Sequence, residues 1–132
     1  MRQAGAMEFL SSRVLLRPVD RERSLVFYRD ALGLAIYREF PGGTVFFVGN
    51  GFLELSGQGE AGPSPNVELW LQVRDLRTTA EELAARGVPV LREPRLEPWG
   101  LREMWISDPD GLRIALVEIP EDHPLRRDRR EV

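Results

Sequence analysis

One stretch of this 132-residue chain is written twice. The first copy, residues 13–34, reads R-V-L-L-R-P-V-D-R-E-R-S-L-V-F-Y-R-D-A-L-G-L, and the second, residues 68–88, reads E-L-W-L-Q-V-R-D-L-R-T-T-A-E-E-L-A-A-R-G-V. Both open with alternating apolar residues, Val14 and Leu16 in one and Leu69, Leu71 and Val73 in the other, the period of a half-buried strand. Each run ends at an aspartate, Asp20 or Asp75, placed to cap a helix by accepting from the N–H groups of its first turn. Each helix closes near a glycine, Gly33 or Gly87, the residue that enters the left-handed conformation past a helix end at least cost. The two aspartates stand 55 positions apart and the two glycines 54, so the register holds through a whole strand and helix. That repetition supports an architecture of two similar units.

The remaining pattern completes the units. In the first helix Leu25, Tyr28 and Leu32 form an apolar stripe, joined by Phe27 and Ala31. Strands are predicted over residues 35–40, 44–48 and 52–56, with Gly42-Gly43 and Asn50-Gly51 as hairpin signals. The segment G-Q-G-E-A-G-P-S-P-N, residues 57–66, has nothing to bury and reads as a linker. A second strand, helix and strand follow over residues 67–73, 76–86 and 89–93. The loop P-R-L-E-P-W-G then leads to strands near residues 102–107 and 112–119, joined by the turn Asp108-Pro109-Asp110-Gly111. The reading is a single α+β domain of two βαβββ repeats, residues 12–57 and 67–120, with a linker over 58–66 and a charged tail over 121–132. Residues 1–9 carry no periodicity and read as a leader, with Met7 as an alternative start.

Two such units, each burying one helix against one face of a curved sheet, leave the opposite faces to line a shared concave cavity. Side-chain alternation sorts the residues. With Val14, Leu16, Leu53 and Leu55 turned to the helix, Arg13, Leu15, Arg17, Phe52, Glu54 and Ser56 face the cavity. By the same parity Glu68, Trp70 and Gln72, and then Arg113, Ala115 and Val117, face it from the second repeat. Trp99, in P-W-G, sits on a loop able to act as a lid, and Trp105 lies next to that loop. One of the adjacent Phe46 and Phe47 is expected in the core or an interface.

Composition narrows the chemistry. The formal net charge of -3, with acids and arginines interspersed, does not recommend nucleic acid as a partner. The absence of cysteine excludes disulfides, thiolate metal sites and cysteine nucleophiles. His123 is the single imidazole, beside Pro124 in the charged tail, and reads as a surface residue. The arginines between Arg126 and Arg130 are interrupted by Asp128 and read as a solvated end. No apolar run reaches the length of a membrane span, so no membrane role and a cytoplasmic location are expected.

V-D-R-E-R-S-L-V-F-Y-R-D-A-L-G-L, the second V-R-D-L with its R-G-V ending, and D-P-D-G together resemble the glyoxalase, bleomycin-resistance and extradiol dioxygenase superfamily, also called vicinal oxygen chelate. The resemblance covers about residues 12–120. It implies the fold of two βαβββ repeats around a cavity, and in many relatives a homodimer, sometimes with halves exchanged across such a linker. It leaves the activity open, because the superfamily contains metalloenzymes and metal-free drug binders. In the metal-using members a histidine or similar ligand stands seven residues before each strand-ending aspartate, and a glutamate stands in the strand after D-P-D-G. Those positions hold Arg13, Glu68 and Ala115 here. A further carboxylate position matches Glu54 in F-L-E-L. A guanidinium stays protonated and has no lone pair to donate, so Arg13 opposes a divalent cation.

Two readings of these charges stand side by side. Arg13 replaces the metal's positive charge by pairing with Glu54 and Glu68, or all three are solvated at the rim of an open groove. Closest in character is a metal-free antibiotic-binding protein that confers resistance by sequestering an aromatic drug or metabolite. Its ligand-binding set is Arg13, Leu15, Phe52, Glu54, Glu68, Trp70, Trp99, Trp105 and Ala115, with no catalytic residue, metal or cofactor. The alternatives are a metal-dependent lyase, transferase or dioxygenase with an altered ligand set, and a metal-free isomerase using Glu54 or Glu68 as an acid/base group.

Overall fold

The computed structural model describes residues 7–60, 62 and 66–124. Most of the leader and parts of the linker and tail, including the whole run from Arg126 to Arg130, lie outside the described residues. The chain forms two compact units, Met1–Glu60 and Ala61–Val132.

The first unit runs β1 (Val14–Leu16), α1 (Arg21–Val26), a π-helical turn (Phe27–Ala31), β2 (Ile36–Phe40), β3 (Gly43–Val48) and β4 (Gly51–Ser56). Its sheet has the order β1-β4-β3-β2, with β1 and β4 parallel and the other pairs antiparallel. Asp20 caps α1 as expected, its side chain accepting from the Arg23 N–H at 3.2 Å. The helix then widens by one residue per turn, the Leu32 N–H bonding to the Phe27 carbonyl at 2.9 Å, and ends at Gly33 with φ 71°. Tyr28 and Ser24 form its most buried stripe, and Tyr28 packs on Phe46 of β3.

The second unit repeats the plan with β5 (Glu68–Gln72), α2 (Leu76–Ala85), β6 (Val90–Leu96), β7 (Arg102–Ser107) and β8 (Arg113–Glu118) in the order β5-β8-β7-β6. Asp75 caps α2 through the Thr78 N–H at 3.1 Å, and Gly87 has φ 72°. Leu76 and Leu83, two turns apart on α2, are buried against this sheet together with Leu69, Met104, Ile106, Ile114 and Leu116. In the D-P-D-G turn one oxygen of Asp108 accepts from the N–H groups of both Asp110 and Leu112 at 2.9 Å, which folds the chain back into β8. Both units are therefore βαβββ, and the α+β fold of two repeats is the one expected. Among the described residues no helix is long and apolar enough to cross a membrane.

Three local features differ from the sequence reading. The hairpin between β3 and β4 turns on Gly49-Asn50, with Gly51 already paired to Val48, because Gly49 supplies the positive φ of 57°. The segment Pro94-Arg95-Leu96, expected in a loop, belongs to β6, which as an edge strand tolerates a proline. The edge strands β2 and β6 carry an irregularity at matching places, between Ile36 and Arg38 in β2 and between Val90 and Arg92 in β6, and β6 carries another between Arg92 and Arg95. A bulge sets two residues against one and so breaks simple alternation.

Candidate functional site

The pairing registers confirm the parity argument within each sheet. On the face of the first sheet away from α1, Leu15 pairs with Glu54, Glu54 with Val45, and Phe52 with Phe47. Arg13 donates from Nη1 to Glu54 Oε1 at 2.8 Å, and the Ser56 hydroxyl donates to Glu54 Oε2 at 2.6 Å. Arg17 Nη1 in turn donates to Ser56 Oγ at 2.6 Å. Both oxygens of the only carboxylate in this network are thus occupied. Beside it, the Arg13 guanidinium lies 5.9 Å from the centre of the Phe52 ring. Tyr37, the extra residue of the β2 bulge, reaches Phe47 and Phe52 with ring centres 4.9 Å away in each case, making a three-ring platform.

The ionisation of Glu54 follows from these contacts. The Ser56 hydroxyl first, then the Arg13 guanidinium, hold its carboxyl below the ordinary glutamate value, with desolvation opposing them. A carboxylate whose pKa falls on folding stabilises the protein above the unfolded-state value of about 4.3 and loses that contribution as the pH drops through the lower folded value. The stability difference between the native chain and Glu54→Gln should therefore be constant at neutral pH, shrink below about pH 4.3 and vanish in stronger acid. Paired acid-unfolding curves followed by circular dichroism check this. A difference that persists undiminished into strong acid would contradict the assignment.

The corresponding face of the second sheet is built differently. Glu68 is paired with Arg113 on the neighbouring strand, the Arg113 Nε donating to it at 2.7 Å. The Arg13 pairing is thus seen with Glu54, while Glu68 takes its cation from its own sheet. Trp70 pairs with Ala115, and Ala115 with Trp105. Ala115 is buried in a cluster with Leu101, Val117 and Ile119 on which Trp105 packs, so it forms the floor of this face and presents no surface. The guanidiniums of Arg92 and Arg113 lie over the Trp105 ring at 3.8 and 4.4 Å from its centre.

The P-W-G loop is tied down at several points. The Trp99 indole N–H donates to Glu103 Oε2 at 2.8 Å, and the Glu97 N–H bonds to the Leu101 carbonyl at 2.8 Å. His123, expected as a surface residue, also reaches the Trp99 carbonyl with Nε2 at 3.1 Å, because the chain turns back along this loop after β8. Glu97, almost fully buried, accepts from Arg92 and Arg95.

Of the nine residues expected to bind a ligand, the structure brings Arg13, Leu15, Phe52 and Glu54 together on one sheet face and Glu68, Trp70, Trp105 and Ala115 on another, with Trp99 on the loop beside the latter. On these sheet faces and the adjoining loop the exposed rings are Tyr37 (49%), Phe47 (43%), Trp70 (49%) and Trp99 (58%). Tyr37 and the pair Glu97/Glu103 were missed by sequence reasoning. The bulges hid Tyr37, and nothing in the pattern of residues 92–103 distinguishes a buried glutamate from a solvated one. Phe46 is core and Phe47 surface, as their opposite parity requires.

A divalent cation does not fit these side chains. The carboxylate of Glu54 is saturated by Arg13 and Ser56, Glu68 is held by Arg113, and Ala115 has no donor. Among the described residues no three histidine, aspartate or glutamate side chains are gathered to hold a metal.

The family model for the Glyoxalase/Bleomycin resistance protein/Dioxygenase superfamily matches residues 11–116. The chain belongs to this superfamily. A protein of Synechocystis named "Probable lactoylglutathione lyase" is 30% identical over 125 residues, covering 79% of this chain and 91% of its own length. A glyoxalase/bleomycin resistance protein/dioxygenase from Nocardioides superposes with a TM-score of 0.74 at 19% identity, covering 98% of this chain and 93% of its own. A lactoylglutathione lyase from Agrobacterium tumefaciens gives 0.65 at 20% identity, covering 86% and 95%. At these identities the superpositions speak for the fold, and the superfamily's sheet faces carry this chain's own residues.

Proposed function

We propose that this superfamily member is a metal-free binding protein that sequesters an aromatic small molecule, an antibiotic or a metabolite, and releases it chemically unchanged. The observation that carries the reading is the state of Glu54. At a position where metal-using relatives place a carboxylate ligand, this one is neutralised by Arg13 and lies next to the exposed platform of Tyr37, Phe47 and Phe52. Each ring contact adds on the order of 0.5–1.5 kcal/mol beyond its buried area, so two or three shift affinity by tenfold or more. Trp70 offers a further exposed ring on the second sheet. The protein acts as a homodimer in the cytoplasm on this reading, supported by the outer position of β1, β2, β5 and β6 in their sheets, where a strand has one unpaired side within its own sheet.

The test is a titration with glycopeptide, anthracycline-like and enediyne-like compounds, followed by tryptophan fluorescence and by mass spectrometry of the recovered ligand. Saturable quenching with an unchanged compound is expected. Phe52→Ala should weaken binding about tenfold while leaving the circular dichroism spectrum intact. A compound returned chemically altered would overturn sequestration.

A second reading, a lyase, is favoured by the name of the Synechocystis relative. It requires a donor set other than the one expected from the family's spacing. One equivalent of nickel or zinc surviving dialysis of the native protein would support it, whereas the binding reading expects that metal affinity improves only when Arg13→His supplies a donor.

A further inference from the structure

We propose that the ligand carries an anionic group, a carboxylate or phenolate, received by the guanidiniums of Arg13 and Arg17 while its rings lie on Phe52, Phe47 and Tyr37. The inference rests on the binding reading above and names the ligand class. Three guanidiniums lie on the open face of the first sheet against the single carboxylate of Glu54: hydrogen bonds to Glu54 and Ser56 place those of Arg13 and Arg17, and the strand register places that of Arg38. Arg38 pairs with Val45, which pairs with Glu54, and its guanidinium lies 5.5 Å from the Phe40 ring. Glu39, its neighbour, pairs with Thr44 and so points to the helix side.

Glu54 cannot compensate all three. Its Oε1 is bonded to Arg13 and its Oε2 to Ser56, and among the described residues neither Arg17 nor Arg38 forms an ion pair with a carboxylate. A guanidinium has five N–H donors. Arg13 uses one on Glu54, and Arg17 directs Nη1 to the hydroxyl and carbonyl of Ser56, which leaves donors on both for a ligand. Uncompensated charge beside an apolar platform favours an anion and opposes a cation. Residues on one face of a strand repeat at about 6.6 Å, so the row Phe52, Glu54, Ser56 runs from the rings to the Arg17 end. Arg13 lies at the ring end, 5.9 Å from Phe52. A carboxylate attached to the ring system directly or through a short arm therefore meets a guanidinium.

Calorimetric titration with naphthalene-2-carboxylate and its neutral isostere 2-naphthamide isolates the charge from the rings. At low ionic strength the acid should bind about tenfold more tightly than the amide, and that preference should shrink as salt screens it. Arg17→Gln should reduce the preference severalfold while the amide's affinity stays within twofold, and Arg38→Gln, which removes a charge from the same face without touching the ligand, should reduce it less; an undiminished preference in Arg17→Gln would overturn the assignment of the anion to that guanidinium. Equal affinities for acid and amide, independent of salt, would overturn the anionic assignment and leave aromatic binding standing. No saturable heat with either probe, together with no quenching by the compounds named above, would overturn both.

Discussion

Glu97→Ala is expected to lower the stability of the protein by about 3–5 kcal/mol, the range for removing one partner of a buried ion pair. Glu97 is 4% exposed, and its Oε1 accepts from Arg92 and, at 3.2 Å, from Arg95. Arg92 is itself largely covered, stacked on Trp105, with its Nε buried and lacking a hydrogen-bond partner. Deleting the carboxylate leaves that guanidinium without a counter-charge in a place water does not readily reach. The backbone of Glu97 also closes the P-W-G loop onto Leu101, which belongs to the buried cluster with Ala115 and Val117. Loosening this corner should therefore be felt at Trp99 and Trp105. Urea unfolding followed by tryptophan fluorescence measures the effect. Glu81→Ala serves as the control, because the Arg77–Glu81 pair is solvent-exposed at 3.5 Å and its loss should cost under about 1 kcal/mol. Similar small losses for both variants would show that Glu97 is not a structural counter-ion.

Tyr28→Ala should cost about 3–5 kcal/mol as well, for a different reason. The Tyr28 ring is fully buried where the first helix changes to its π-helical turn, edge-on to Phe27 at 4.9 Å and 6.4 Å from Phe46. Its removal opens a cavity between the π-helical turn and the strand β3, whose other face carries Phe47 of the ring platform. Tyr28→Phe keeps the ring contacts and should lose far less. Chemical unfolding of the two variants side by side separates ring burial from the hydroxyl, and equal losses would count against the cavity argument. Ligand affinity at the platform should fall in Tyr28→Ala only under conditions where the fold is already partly lost.

Much of the fold was legible because short-range rules agree with one another. The aspartate caps at Asp20 and Asp75, the positive-φ glycines Gly33 and Gly87, and the turn built on Asp108 each satisfy a local backbone requirement that any tertiary structure would have to meet. The strand alternation also placed Arg13, Glu54 and Phe52 on one face, and Glu68, Trp70 and Ala115 on one face, since a pleated strand offers only two directions. The repeat at an offset of 54–55 residues then extended each assignment to its twin.

Partner choice was decided only in three dimensions. Sequence parity put arginines and glutamates on the open faces and left Arg13 either paired with both Glu54 and Glu68 or solvated; that Arg13 takes Glu54 while Arg113 takes Glu68 depends on which strands become neighbours and in what register. Irregularities in β2 and β6 set the positions of Tyr37 and Arg92, where two residues oppose one and simple alternation no longer decides. Burial of Glu97 and Glu103, and the tie between His123 and the Trp99 loop, arise from contacts across a folded corner that leave no periodic trace. The sequence alone thus determined the repeat, most of the elements and the face of each residue in the strands without bulges, which are local consequences of backbone geometry. Tertiary structure decided which charges neutralise one another and which rings stay exposed, because those outcomes depend on distances between residues far apart along the chain.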